Sequence, residues 1–419
     1  MAVRTERRRI GIAWVAAALA ISNPGSSAAE PGRRRAEATA SAAKGPTIED
    51  LFLRFTLFNQ RGRGFQSKAG PPAGPGSENM LVFQPMGQLG IRQRNPRWTH
   101  QVTFALDVIS AASPDGLDAV SSASRYNEAG ELDVTTTYAS ETRGEWSMRY
   151  GLHFEEPFRS GFGGLGWVGR YFEDNTTVAV NTTYILDLFD FIHPLGFSPV
   201  QVEKRVTISD NVGVTQVLSP TTLLSASYGV TFQAGTLATT WNSVAISDAP
   251  TTGCPNDYGQ APEYDCLNRE PERLPRTRTR HAAALLLHQH IPRTRSTIKL
   301  GYRFYADDFD LRAHTPGVML YQWLGRRMYL RATYRYHWQR GVSFYTVATR
   351  TDASDEMPLT ADSDLAPFSA HQVGLKAVVY LVPPGGLRGA QYLDGGYSRY
   401  QRSNDLHVDV VSLGYGRDF

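Results

Sequence analysis

Residues 329–340, YLRATYRYHWQR, put Leu330, Ala332, Tyr334, Tyr336 and Trp338 on even positions and Arg331, Thr333, Arg335, His337 and Gln339 on odd ones. A period of two belongs to a β-strand, whose side chains point alternately to its two faces. One face here is apolar and aromatic, the other charged. Such a strand asks for a nonpolar solvent on one side and water on the other.

The alternation recurs along the chain. Leu51, Leu53, Phe55 and Leu57 alternate with Phe52, Arg54 and Thr56, and Trp146, Met148, Tyr150, Leu152 and Phe154 with Ser147, Arg149, Gly151 and His153. Ile298, Leu300, Tyr302 and Phe304 alternate with Lys299, Gly301, Arg303 and Tyr305. Strands are expected near 48–59, 80–93, 98–110, 131–142, 144–156, 164–173, 176–188, 203–217, 221–235, 279–291, 296–309, 312–324, 328–340, 370–381, 389–402 and 407–419. The total is about sixteen, within a range of about 14 to 18, an even number as in bacterial outer-membrane barrels. Segment 80–93 is the weakest of these, because Pro85 cannot donate to a ladder and belongs at a bulge or an edge.

The connections decide the architecture. Long links at 60–79, 111–130, 189–202, 236–278 and 341–369 alternate with short ones such as NPRW, DN, LSP, IPRT and GRR. This is the pattern of an all-β, antiparallel, up-and-down transmembrane β-barrel with short periplasmic turns and long extracellular loops. A periplasmic β-sandwich is the competing architecture, but its strands average about five or six residues. Most of those above run about ten to fourteen, the tilted bilayer-crossing length of about 9–11 plus extensions. Trp98, Trp146, Tyr184, Trp323 and Trp338, near strand ends, are assigned to membrane-interface belts. In lipid every backbone group must be paired, which a closed barrel achieves with an apolar outside and a polar lumen.

Flanking features fit that compartment. Arg4, Arg7, Arg8 and Arg9 precede the apolar run IGIAWVAAALAI and the small-residue stretch SSAAE, so residues 1–29 are expected to be a signal peptide. Residues 30–46 follow as a flexible periplasmic leader, and 47–419 as the barrel. Lys and Arg total 43 against 40 Asp and Glu, a balance that points to no nucleic-acid partner. The two cysteines, Cys254 and Cys266, fall in the polar stretch 236–278, and a disulfide in that outer loop is expected.

The chain ends VSLGYGRDF, with Val411, Leu413, Tyr415 and Phe419 on one face. This resembles the terminal strand of Gram-negative outer-membrane proteins, whose final aromatic residue is read by the barrel-assembly machinery; Arg417 departs from the pattern. The segments DVISAASPDGLDAVSSASRYNEAGEL, REPERLPRTRTRHAA, LGYRFYADDFDL and RYHWQRGVSFY, spanning roughly residues 100–419, resemble the family catalogued as domain of unknown function 3570. That resemblance implies a Gram-negative outer-membrane barrel and brings no assigned activity.

Chemistry-bearing patterns are sparse. Asp307, Asp308 and Asp310 do not have the spacing of a calcium loop. His288 and His290, two apart, share a strand face but supply only half a metal site. The chain has neither a nucleophile elbow nor a C-x-x-C-H motif. No cofactor, metal or catalytic residue is therefore expected. Three classes of function stay open: a pore for small solutes, a scaffold or receptor for a periplasmic or surface partner, a redox partner included, and a barrel hydrolase.

With both termini in the periplasm, each inward residue acquires an approximate height. Arg54, Arg149, Arg303, Arg335 and Lys376 share a level, with Lys299 and Arg331 slightly lower. Asp107, Asp133, Glu155, Asp187 and Asp307 are expected near the outer end. The expectation is an acidic vestibule above a basic waist, which favours small anionic solutes. Outer-membrane lipid, lipopolysaccharide and the barrel-assembly machinery are the other expected partners.

Overall fold

Sixteen strands hydrogen-bond in sequence and close, the first against the last. In this computed structural model the described residues are 45–62, 80–111, 127–141, 144–155, 158–192, 199–238, 243–246, 269–346, 348–350, 357–384 and 389–419. Cys254, Cys266, the expected signal peptide and nearly all of the leader lie outside them.

The barrel strands of the first half are β1 (Thr47–Arg61), β2 (Met80–Arg92), β3 (Trp98–Ala111), β4 (Asn127–Ala139), β5 (Glu145–Glu155), β6 (Phe158–Tyr171), β7 (Thr176–Ile192), β8 (Pro199–Ser219) and β9 (Thr222–Gly235). Two short strands, β10 (Ser243–Ile246) and β11 (Arg269–Pro271), interrupt them. The wall resumes with β12 (Thr277–Ile291), β13 (Ser296–Asp307), β14 (Arg312–Leu324) and β15 (Met328–Gln339). After the short β16 (Ala348–Thr349) it finishes with β17 (Phe368–Val382), β18 (Gln391–Arg402) and β19 (His407–Asp418). Every pairing in the wall is antiparallel, and β1 meets β19 from Asp50↔Asp418 to Arg61↔His407.

The opening stretch, β15, behaves as its alternation requires. Tyr329, Arg331, His337 and Gln339 are buried, while Tyr334 and Trp338 are exposed on the outer wall. Phe55, Leu152, Leu300, Leu375 and Leu413 extend that apolar exterior round the barrel. Pro85 sits where the β2–β3 ladder is interrupted between Phe83↔Val108 and Met86↔Ala105, as a residue that cannot donate requires. Pro316 does the same between β14 and β15.

Three expectations are corrected. Strand β4 starts at Asn127, before the expected 131, so Asp133 lies near mid-strand and not near the outer end. Strand β6 starts at Phe158, and its Gly161, Gly163, Gly164 and Gly166 carry no side chain to display the alternation. Trp323 packs against Tyr329 and Tyr380 at ring distances of 5.2 and 5.9 Å, inside the lumen and not in a lipid belt.

The two longest outer links build a cap. β10 pairs antiparallel with β11 and parallel with β16, and Arg273 bridges to Leu359. Val244, Leu359 and Ala361 form one small core. A second joins Leu237, Val342 and Leu365 of the links to Phe309, Leu311 and Ala313, with Tyr305 packed against it. Because Tyr305 and Ala313 face inward, the cap is rooted on the inner wall.

Candidate functional site in the barrel lumen

The structure points all seven expected basic residues inward but does not leave them equivalent. Lys376 Nζ meets Asp394 Oδ1 at 2.8 Å, and Arg54 approaches Oδ2 of the same carboxylate at 3.7 Å. Arg149 is paired with Asp133, whose mid-strand position brings the two to one level. Lys299 and Arg331 lie over the Tyr321 ring at 5.0 and 6.0 Å.

Arg303 and Arg335, like Lys299, lack such an acid among the described residues, and neither shares the Tyr321 ring. Among the described residues neither has a carboxylate within 4.0 Å. Arg335 is paired across the ladder with Gly317, which is paired with Gly301. Arg303 is the next inward residue beyond Gly301, so positions without side chains adjoin both guanidiniums. Two like charges thus face the lumen beside glycine positions, with no acid within 4.0 Å among the described residues.

Glycine is also what lets Asp394 serve two cations. Gly414 stands in the ladder between Asp394 and Arg54, and the Asp394 carboxylate lies across it. One step lower Gly416 stands between Tyr392 and Phe52, and a Cβ there would overlap the Tyr392 ring. The inward face of the terminal strand, which looks empty as sequence, is a pair of passages between its neighbours.

Sequence reasoning missed the aromatic arc at the periplasmic end. Trp323, Tyr329, Tyr380 and Tyr392 follow one another at 5.2, 6.4 and 5.7 Å, and Tyr392 reaches Phe52 at 6.5 Å. Arg54 lies 4.7 Å over Phe52. The arc therefore meets the basic waist at Arg54, and the neighbouring Tyr321 ring carries Lys299 and Arg331.

The expected acidic vestibule is divided. Asp107 accepts from Gln84 at 2.6 Å, and Glu155 meets His153 at 3.5 Å, which leaves an acidic sector on β3–β5. Elsewhere the acids are consumed. Asp187 is held by Arg205 at 2.8 Å and Ser160 at 2.6 Å, and Asp307 by Arg278 and the backbone N–H groups of Phe309 and Leu311. Arg205, Arg278, Arg280 and Arg402 face inward toward the outer ends of their strands, and three of them pair with Asp187, Asp307 and Asp364; none was among the expected residues. Asp307 thus organises a turn, and His288, beside Lys299, has no metal-binding partners: among the described residues no group of three ligating side chains comes together.

The cap is pinned to this side of the wall. Gln339 Nε2 donates to the carbonyls of Asp364 and Ala366 at 2.8 and 2.6 Å, and Arg402 holds the Asp364 carboxylate at 2.5 Å. At the other end of the wall Val411, Leu413 and Phe419 are exposed outward, and the Phe419 N–H donates to the Glu49 carbonyl. Tyr415 accepts from Gln391 at 2.8 Å.

A closed antiparallel barrel, apolar outside and charged within, is the architecture of a bacterial outer-membrane protein. The family model described as protein of unknown function, DUF3570, matches residues 108–405, and the chain belongs to that family. No curated protein matches it. Among solved structures, a BenF-like porin of Pseudomonas fluorescens Pf-5 is 10% identical, with 90% of this chain and 99% of that one covered and a TM-score of 0.44. OccK1 (OpdK) of Pseudomonas aeruginosa is 9% identical over 90% and 98% of the two chains, with a TM-score of 0.41. A Pseudomonas aeruginosa FadL homologue is 11% identical over 91% and 92%, with a TM-score of 0.39. Likeness at this level assigns no solute to this chain.

Proposed function

We propose that the chain forms an outer-membrane pore for small solutes and prefers anions. The observation that carries this reading is the pair Arg303 and Arg335, inward-facing and without a carboxylate partner among the described residues. Elsewhere in the waist Asp133 and Asp394 cancel the charge of Arg149, Arg54 and Lys376. A passing anion therefore meets its strongest field on β13 and β15. At about 4 Å each guanidinium contributes from about 1 kcal/mol in bulk-like water to about 4 kcal/mol at an effective dielectric of 20. Either value is enough to bias permeation.

The test is the reversal potential of purified protein in a planar bilayer under a salt gradient. The wild type should be anion-selective, and R303E/R335E should move the potential toward cation selectivity. An unchanged potential would remove these residues from the selectivity mechanism. The cap rooted at Gln339 and Arg402 supports a second reading, a plugged receptor or scaffold. Absence of conductance from well-folded protein would favour it.

A further inference from the structure

The outer wall carries polar side chains where lipid should permit few. On β9, β13 and β15 the seventh residue of the rising strand is an outward tyrosine: Tyr228, Tyr302 and Tyr334. Each bonds the Nδ1 of a histidine on the next descending strand, His281 at 2.7 Å, His314 at 2.6 Å and His371 at 2.9 Å. The motif continues to either side with acids in place of histidine. Thr182 donates to Asp210, and Tyr397, seventh in β18, donates to Asp409, both at 2.6 Å. Four consecutive hairpins thus bear a diagonal tyrosine pair at the same position, and the hairpin before them bears Thr182 directly opposite Asp210.

Position fixes the height. Six steps at about 3.3 Å, tilted about 40°, put the tyrosines about 15 Å above the strand starts and the histidines about 20 Å, within an apolar band about 25 Å tall. The histidines lie among rings of the upper girdle, His314 at 5.6 Å from Trp338 and His371 at 5.1 Å from Tyr336. Beyond them the descending strands turn polar with Thr279, Arg312 and Ser369. This is the level of outer-leaflet headgroups.

In each of the three histidine pairs the tyrosine occupies Nδ1, which turns Nε2 away from it. Among the described residues no Nε2 of the three has a hydrogen-bond partner. Alternate strands about 4.8 Å apart set these donors about 10 Å from one another. We propose that His281, His314 and His371, with Arg312 above, bind phosphate groups of outer-leaflet lipopolysaccharide. A second copy of the barrel fits less well. The three histidines are spread over the five adjacent strands β12 to β17, about 20 Å of convex wall, whereas two convex cylinders meet along a narrow line.

The full chain, reconstituted in phosphatidylethanolamine vesicles with lipopolysaccharide or its dephosphorylated form, tests this through the amount of glycolipid retained after extraction. The wild type should retain the phosphorylated form and release the other. In H281F/H314F/H371F, losing even one charge-assisted bond should cut retention about tenfold. If that variant does not fold, Y228F/Y302F/Y334F keeps every ring but frees Nδ1, and should also retain less. Wild-type retention in a folded variant, or equal retention of both glycolipids, would overturn the proposal. So would cysteines at Tyr302 or Tyr334 that cross-link two barrels in glycolipid-free vesicles.

Discussion

The Asp394 carboxylate is the point at which the waist can be broken most cleanly. Its side chain is fully buried, as is that of Lys376 to within 2%, and it lies 2.8 Å from Lys376 and 3.7 Å from Arg54. At an effective dielectric of 20 these distances correspond to attractions of about 6 and about 4 kcal/mol, set against a desolvation cost of several kcal/mol per ion. Removing one partner of a buried pair leaves the opposing charge uncompensated and costs about 3–5 kcal/mol. D394N should therefore destabilise the barrel by about that amount, while R54M/K376M/D394L, which removes both cations with the acid, should return to within about 1–2 kcal/mol of wild type. Equilibrium urea unfolding in vesicles, followed by tryptophan fluorescence and by the heat-dependent gel mobility of the folded barrel, reads both values. Folded D394N should also gain anion preference, since it adds a net positive charge to the lumen. A D394N barrel within about 0.5 kcal/mol of wild type, the size of an ordinary surface substitution, would refute the reasoning.

Two further predictions concern the terminal strand and the cap. G416V should displace Tyr392 from its path to Phe52 and destabilise the barrel by about 1–3 kcal/mol, the usual cost of overpacking, as read in the same urea titration. Burial, then the neighbouring Asp364 and Glu272 carboxylates, hold the Asp362 carboxyl well above the usual range, with Arg402 acting in the opposite direction. Because its pKa is raised in the folded cap, its contribution to stability is complete below the ordinary carboxylate value of about 4 and is lost as pH rises through the folded value. Proteolysis within 340–367 should accordingly slow as pH is lowered, and D362N should flatten that dependence.

The strands were legible because lipid and water impose opposite demands on adjacent residues, and stretches such as 329–340 record both. That record fades beyond the bilayer. The first turn of β4, Asn127–Gly130, extends past the region where an outward residue must be apolar, so Asp133 was given the wrong height. Arg205, Arg278, Arg280 and Arg402 stand near strand ends for the same reason, where alternation gives little guidance. The inward direction of Arg54 and Lys376 followed from alternation, but their shared Asp394 depends on which strand closes the ring and on a glycine between. The cap was illegible for another reason. Its parallel β10–β16 pairing joins links about a hundred residues apart, and no local pattern in either specifies the other.

The central claim is that odd residues of 329–339 meet water in the lumen while even ones meet lipid. Single cysteines at Arg335 and Tyr334, placed in a C254S/C266S background and treated with a charged, membrane-impermeant methanethiosulfonate during bilayer recording, test it directly. The expected result is rapid modification at 335 with a stepwise change in conductance, and none at 334. Equal reactivity at both positions, or modification at 334 alone, would contradict it.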